Sequence, residues 1–358
     1  MAHLIFFNPT KTAQLKQLSF DKPKGDFDST VDKHRFTHPF GKVLPMPKIL
    51  VCGTINWDTT LFVERLPNAG QEIRVMRVAS QPGGKGANTA VAAAKILGKN
   101  SVATIGMLGF DDIGDRQRKI LQDEGVDTNL IFGSDKLLSG QAYVIVDKNG
   151  EDMILTFQAA NMALSPQFVE SSKVLSAIED STMIIVIDPP LDAAAALIKK
   201  SRVRRRTVIF VPALLTNYGF SVLEQYIRDV DYLILNQQEA ETLTSIHDGI
   251  QACTAISKAI SGKVVVTLGH EGCMLCSGGK GKKIAPLHFS LSKLNVASTV
   301  GAGDTLVGAF GAFKVRGFED ARALYLANIA AALKTTREQT RASPTYEEIQ
   351  RYVHDDED

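Results

Sequence analysis

The residues Gly301-Ala302-Gly303-Asp304 form the segment whose residue types and spacing most clearly suggest chemistry. Three small residues precede an acid, and an apolar, helix-compatible run follows. Backbone N–H groups at such a helix N-terminus can converge on an anion such as a phosphate. A carboxylate beside a bound anion is electrostatically unfavourable unless it has a chemical role, and the simplest such role is that of a general base.

We therefore predict a phosphoryl-transfer site. Asp304 takes a proton from a nucleophile, while the loop N–H groups hold the phosphoryl group that the nucleophile attacks. The candidate catalytic residues are Asp304, Gly301, Ala302 and Gly303. A glycine loop capped by an acid for structural reasons alone is the alternative interpretation.

The composition of the chain limits the classes of protein to be considered. Among 358 residues, 40 Lys and Arg balance 39 Asp and Glu, so no overall field favours nucleic acid or an anionic membrane as a partner. The sequence has no apolar run of the ~18 residues that a membrane span needs, and no signal-peptide pattern. Four scattered cysteines suit a reducing compartment. A cytoplasmic enzyme is the expectation.

Strand-like and helix-like segments alternate from residue 48 onward, which predicts an α/β fold with a parallel sheet covered by helices on both faces. Two predicted hairpins interrupt this alternation. One runs from Asp58 to Ser80, and the other runs from Ala142 to Phe157 around an Asn-Gly turn that favours a tight primed geometry. We interpret them as a small added β-sheet. Cys273 and Cys276 are interpreted as core or hairpin residues rather than as half of a zinc site.

Polar residues and glycines follow several of the predicted strands. Ligands of open α/β sheets bind beyond the carboxyl ends of the strands, so we expect these residues to meet at one edge. They are Asn56, Asp58, Asp188, Asn236, Glu239, Thr267, Gly269 and Gly272.

The segment Gly83-Gly84-Lys85-Gly86-Ala87-Asn88-Thr89-Ala90-Val91-Ala92, taken with Gly301–Thr305, resembles the paired signature of the ribokinase-like (PfkB) carbohydrate kinases. The resemblance covers roughly residues 48 to 353. It implies a three-layer α/β/α fold with a central, mainly parallel sheet and a small β-sheet lid, formed by strands at about 58–80 and 141–158, that also pairs two copies of the chain. The kinase domain would then span residues 47–353, between an N-terminal extension (1–46) and an acidic tail (354–358).

The resemblance also implies the substrates and their ligands. MgATP would phosphorylate a pentose, with the ribose 5-hydroxyl as the first expectation and a nucleoside, pseudouridine, fructose or a deoxysugar as alternative acceptors. A non-catalytic sugar or nucleotide sensor is the alternative of another class. The implied sugar ligands are Asn56, Asp58, Gly84, Lys85, Asn88, Asp188 and Asp304. The implied ATP ligands are Asn236, Thr267, Gly269, Gly272, Gly303 and Asn328, and Glu239 and Asn236 would help to hold Mg²⁺ through water.

Two departures from the family pattern concern a monovalent cation. Ser298 stands where the family usually has Asp, and Glu338–Ser343 replaces a glycine-bearing loop. Both places build the potassium site of cation-activated members, partly with main-chain carbonyls. Ser298 and Val300 are therefore the candidate potassium ligands, and the question of cation activation stays open.

Overall fold

The structure, a computed structural model, describes the backbone of residues 35–37 and 43–45 and the residues 48–149, 151–285 and 294–354, apart from the side chain of residue 354. The predicted extension (1–46) and acidic tail (354–358) lie almost wholly outside these ranges, so the domain boundaries stay a prediction. Within the extension, the short strands Arg35–Thr37 (β1) and Val43–Pro45 (β2) pair in antiparallel fashion.

Thirteen further strands follow in the described ranges. They are β3 (Ile49–Gly53), β4 (Asn56–Val63), β5 (Val75–Gly83), β6 (Val102–Gly109), β7 (Asp127–Ser134), β8 (Gly140–Val146), β9 (Asp152–Phe157), β10 (Met183–Ile187), β11 (Thr207–Val211), β12 (Tyr232–Asn236), β13 (Lys263–Thr267), β14 (Cys273–Ser277) and β15 (Lys280–Ile284).

The α-helices of the same ranges are α1 (Lys85–Leu97), α2 (Asp112–Asp123), α3 (Pro166–Val169), α4 (Ser172–Asp180), α5 (Leu191–Val203), α6 (Phe220–Ile227), α7 (Gln237–Thr244), α8 (Gly249–Ala259), α9 (Ala302–Val315), α10 (Asp320–Thr335) and α11 (Tyr346–His354). None of these helices combines the length and the apolar character needed to cross a bilayer.

Nine strands form the central sheet in the order β15-β14-β13-β12-β11-β10-β3-β6-β7, and its neighbours are parallel except for β13/β14 and β14/β15. The central strands are apolar on both faces, as a sheet between two helical layers requires. In β10, Met183, Ile185 and Ile187 pack with α1, α9 and α10. Ile184 and Val186 pack with α5, α6 and α8 on the other face. The predicted three-layer α/β/α fold is confirmed.

The predicted lid is also confirmed as a separate sheet of four strands, in the order β5-β4-β8-β9. β4 pairs antiparallel with β5 and parallel with β8, and β8 pairs antiparallel with β9. The second hairpin differs from a two-residue turn, because its strands stop at Val146 and resume at Asp152. The Asp147 carboxylate holds this longer connection by accepting from the backbone N–H groups of Asn149 and Glu151.

Three parts of the central fold were not predicted from the sequence. β7 lies at one edge of the sheet and mixes polar and apolar residues, and α3 and α4 are short. β15, with the sequence KGKKI, forms the opposite edge. Lysines are common on edge strands because they discourage pairing with another chain, but they also obscure the strand signal. Cys273 and Cys276 lie on β14 and are fully buried, in agreement with the core and hairpin interpretation.

Candidate active site

The N-terminus of α9 carries Asp304 in its first turn, directly after the glycine loop. Gly301 adopts a φ of 83°, and a Cβ at this position would lie 2.5 Å from the Thr340 carbonyl oxygen. Only glycine fits such a left-handed, closely approached position without strain. The Ala302 N–H donates to the Thr299 carbonyl at 3.1 Å, so this predicted anion ligand already has a partner. The position of a Cβ on Gly303 faces open space instead.

Asp304 is linked to the N-terminal region of α1. The Asn88 side-chain amide donates to Asp304 Oδ2 at 2.8 Å, across 216 residues of sequence. Arg341 holds Asn88 in place and contacts the residue before Gly84. Its Nε donates to Asn88 Oδ1 at 3.2 Å, and its Nη2 donates to the Gly83 carbonyl at 2.5 Å. Arg341 is 3% exposed, and its Nη1 has no hydrogen-bond partner within the described ranges.

Lys85 is the electrostatic centre of the site. Burial by itself lowers its pKa, but the carboxylates of Asp304, Asp188, Glu239 and Asp58 together raise that pKa above the ordinary value. A lysine held among four acids stays charged at neutral pH. The structure therefore brings together predicted sugar ligands from β4, α1 and the end of β10 with the predicted base from α9.

The acids of this cluster have unusually high pKa values. Burial raises the pKa of Asp58 to about 7 against the opposing charges of Arg341 and Lys85. Burial likewise raises the pKa of Asp188 to about 7, although Lys85 opposes the shift. The pKa of Asp304 is also raised by burial, while Lys85 and the Asn88 amide act in the other direction. A carboxylate with a raised pKa is a stronger base than one in water.

Asn56 is fixed at the start of the lid by a contact that sequence reasoning missed. The Asn161 side-chain amide donates to Asn56 Oδ1 at 2.8 Å, and Asn161 Oδ1 accepts from the Ile55 N–H at 2.9 Å. Gly84 has a φ of 93° and approaches so closely that a Cβ there would lie 2.5 Å from the Asn56 nitrogen. Asn161 follows the second hairpin by a few residues, and this position next to the lid was the available signal in the sequence.

A cavity of about 740 Å³ lies beside the N-terminus of α9. Its wall contains five of the six predicted ATP ligands: Thr267, Gly269, Gly272, Gly303 and Asn328. The sixth, Asn236, does not line it. The Asn328 amide donates to the Ile284 carbonyl at 3.5 Å and so joins α10 to β15 behind the cavity.

A family model for the pfkB family carbohydrate kinases matches residues 46–346 of the chain. The chain belongs to the pfkB family of carbohydrate kinases.

Curated and solved relatives of this kinase agree with that assignment. It is 28% identical to the ribokinase of Dictyostelium discoideum over 82% of this chain and 96% of that protein. It is 30% identical to the ribokinase of Lactococcus lactis over 74% of this chain and 83% of that protein. The crystal structure of the ribokinase of Thermotoga maritima superposes with a TM-score of 0.75 at 25% identity, covering 86% of this chain and 100% of that one.

In this pfkB kinase, Asn236 and Glu239 form a capping box at the start of α7. Asn236 Oδ1 accepts from the Glu239 N–H at 2.7 Å, and Glu239 Oε2 accepts from the Asn236 N–H at 2.9 Å. This reciprocal pair satisfies two N–H groups of the helix start. It leaves one Glu239 oxygen outside the box, and burial raises the pKa of that carboxyl group.

The candidate potassium ligands lie in the loop before α9 of the kinase. The Val300 N–H donates to Ser298 Oγ at 3.3 Å, so the serine hydroxyl caps a local turn. The Ser298 carbonyl accepts a hydrogen bond from Lys334, a residue that sequence reasoning did not select. Burial lowers the pKa of Lys334 to about 8, and Asp304 opposes that shift.

Proposed function

We propose that the chain is a ribokinase that transfers the γ-phosphoryl group of ATP to the 5-hydroxyl of ribose. One observation carries the proposal: Asp304 joins the first turn of α1, through its contact with Asn88, to the cavity that the preceding residue Gly303 lines. A hydroxyl held among Asn56, Asp58, Lys85, Asn88 and Asp188 and a phosphate held at the α9 N-terminus would meet at this carboxylate.

The proposed step balances as a direct displacement. Asp304 accepts the proton of the sugar hydroxyl, the hydroxyl oxygen forms a bond to the γ-phosphorus, and the bond from that phosphorus to the β-phosphate oxygen breaks, which releases ADP. The Gly301 and Gly303 N–H groups and the Lys85 ammonium stabilise the negative charge of the transferred group. Positioning and electrostatics account for such a reaction without a covalent intermediate.

Mg²⁺ is the metal that a phosphoryl transfer of this kind requires, and it favours oxygen ligands with several retained waters. The residues present fit this ion. The Glu239 carboxyl group lies within electrostatic range of the Asp304 carboxylate, and carboxylates of this kind hold magnesium through water. Asn236 would act indirectly, because its side-chain oxygen already accepts from the Glu239 N–H.

The decisive experiment measures ADP release with a panel of pentoses, hexoses, nucleosides and deoxysugars, with ATP present and Mg²⁺ either supplied or removed by a chelator. We expect ribose to give the highest kcat/KM and activity to require the metal. A nucleoside turned over in preference to ribose would contradict the ribokinase assignment within the family. Absence of turnover with every acceptor would favour the alternative that the chain is a non-catalytic sugar or nucleotide sensor.

We also propose that two copies pair through the lid. Because side chains alternate along a strand, Val78, Tyr143, Leu155 and Phe157 share the lid face opposite Asp58, and they are 38–58% exposed. An exposed apolar patch of this kind is typical of a protein interface.

For the lid, we expect Leu155→Asp to convert a dimer into a monomer in sedimentation equilibrium, because a charge would have to be buried in the apolar contact. Val203→Asp is the control, since Val203 is 74% exposed on α5, outside the lid. A monomeric wild type, or a dimer that survives Leu155→Asp unchanged, would rule out this interface.

All four cysteines are unpaired and buried. Free thiols suit a reducing compartment, which supports the proposal that the enzyme works in the cytoplasm. Fractionation of cells that express the tagged protein would contradict it if the protein were found outside the soluble cytoplasmic fraction.

A further inference from the structure

We propose that the side-chain ammonium of Lys334 is a built-in substitute for the monovalent cation of cation-activated family members, so that this chain works without added potassium. The inference rests on the proposed kinase activity. Lys334 would be a positioning residue that acts through the loop before α9 and does not touch the substrate.

Lys334 is buried in an unusual way. It is 0% exposed, although a lysine is seldom fully buried unless a carboxylate pairs with it. Among the residues that the structure describes, both of its hydrogen bonds go instead to main-chain carbonyls: Nζ donates to the Ser298 oxygen at 3.2 Å and to the Arg337 oxygen at 3.4 Å. Main-chain carbonyl groups are also the ligands that replace the hydration shell of potassium in proteins.

One of the two carbonyls lies at, and the other lies next to, the places that the family resemblance assigns to the potassium site. Ser298 lies in the loop that leads into Gly301–Asp304. Arg337 directly precedes the segment Glu338–Ser343. An ammonium group on the Ser298 carbonyl competes with a potassium ion for that oxygen, and two positive charges would repel each other there. The residues present therefore do not fit a potassium ion.

The surroundings of Lys334 hold its charge in place. The residue lies in the last turn of α10, where the helix dipole favours a cation. The Thr335 carbonyl accepts from the N–H groups of Ala297 at 2.7 Å and Ser298 at 3.0 Å, which ties the loop to the same helix end. The ammonium group thus connects the loop before α9 with the loop after α10. Its charge lies within electrostatic range of Asp304.

The contacts of Lys334 also affect the glycine loop, Gly301–Asp304. Gly301 packs against the Thr340 carbonyl, so the segment after Arg337 supports the glycine loop directly. A cation that contacts both the Ser298 and the Arg337 carbonyls fixes the position of the two segments relative to each other. The glycine loop is then held in place to bind the phosphoryl group. Potassium would do this only when bound, whereas a covalently attached ammonium group needs no added salt.

The test begins with wild-type kcat and KM for ribose at matched ionic strength in potassium, sodium or choline chloride. We expect values within about twofold of one another in the three salts. Activation of several-fold by potassium over choline would overturn the inference, because a cation would then be filling a site that Lys334 is proposed to occupy.

Two variants separate the charge from the packing. Lys334→Met keeps the volume but removes the charge, and we expect a drop in kcat of about tenfold or more with a small change in the KM for ribose. Lys334→Ala opens the space around the carbonyls, and we expect potassium, but not choline, to restore part of the lost kcat. Full activity of either variant in choline, or a folded Lys334→Ala enzyme that no potassium concentration activates, would overturn the inference.

A ligand-free measurement distinguishes failure of this inference from failure of the proposed function. We expect potassium to raise the Tm of Lys334→Ala relative to choline and to leave the wild-type Tm unchanged, whichever acceptor the kinase uses. An equal response of both proteins to potassium would contradict the inference. If Lys334→Ala does not fold, the wild-type comparison in the three salts and the kcat of Lys334→Met still test the inference.

Discussion

Asp304→Asn should lower kcat for ribose phosphorylation by about 10²-fold or more, because an amide cannot accept the hydroxyl proton in the transition state. The substitution keeps the size of the side chain and an oxygen that can accept from the Asn88 amide, so the link between α1 and α9 is preserved. Ribose affinity, measured by calorimetry without ATP, should change by only a few-fold. The measurement is kcat at saturating MgATP and ribose.

Asp188→Asn is the matched control for this substitution, because it also removes one carboxylate from the surroundings of Lys85. As a proposed sugar ligand, it should mainly raise the KM for ribose, while kcat at saturation falls by less than about tenfold. A near-normal kcat for Asp304→Asn, or an equal loss of kcat in both variants, would refute the assignment of Asp304 as the base.

Asp58→Asn should weaken ribose binding strongly and at the same time stabilise the free protein above neutral pH. The pKa of Asp58 in the folded protein is about 7, against 3.8 as its ordinary value. The unfolded chain therefore loses this proton at lower pH than the folded one. Between about pH 4 and pH 7, the contribution of Asp58 to the stability of the wild type therefore falls as the pH rises. Asparagine has no proton to lose and avoids this penalty.

The expected gain in the free energy of unfolding for Asp58→Asn is about 1 to 3 kcal/mol at pH 8. This is less than ~1.4 kcal/mol per pKa unit would give, because the buried asparagine amide brings N–H groups that need acceptors. Thermal unfolding from pH 4.5 to 8.5 measures it, and the difference in Tm should widen up to about pH 7 and then stay constant. Asp123→Asn, at an exposed carboxylate, is the control. A destabilised Asp58→Asn protein at pH 8 would contradict the account.

The buried acids of this site favour sugar binding but lower the stability of the folded protein. Asp58 and Asp188 are buried next to Asp304 and are therefore costly to ionise, yet a polyol needs such acceptors for its hydroxyl groups. Lys85 and Arg341 reduce the repulsion among these acids.

The order of elements could be predicted from the sequence because the central strands are short apolar runs separated by periodic helices. β11, from Thr207 to Val211, is such a run, since every residue after the first is buried. Two strands were not predicted because polar or charged residues interrupt their apolar pattern. In β15, exposed lysines conceal an edge strand, and in β7 polar residues break the apolar run.

The glycine motifs likewise identified the family and the location of the chemistry from the sequence alone. Gly84 and Gly301 lie in short glycine-rich runs that are visible in the sequence. The structure gives the reason for glycine at both positions, since their backbone approaches neighbouring main chain too closely for a Cβ.

Only the tertiary structure decided which side chains support one another. Arg341 reaches the Gly83 carbonyl across 258 residues, and no local pattern distinguishes it from a surface arginine. Lys334 is equally ordinary in the sequence, because a lysine in the last turn of a helix normally extends into solvent and favours the dipole. Its burial against the Ser298 carbonyl depends on where the loop before α9 returns to α10. Sequence motifs specify local backbone geometry and chemistry, whereas burial and distant contacts arise only when the chain folds back on itself.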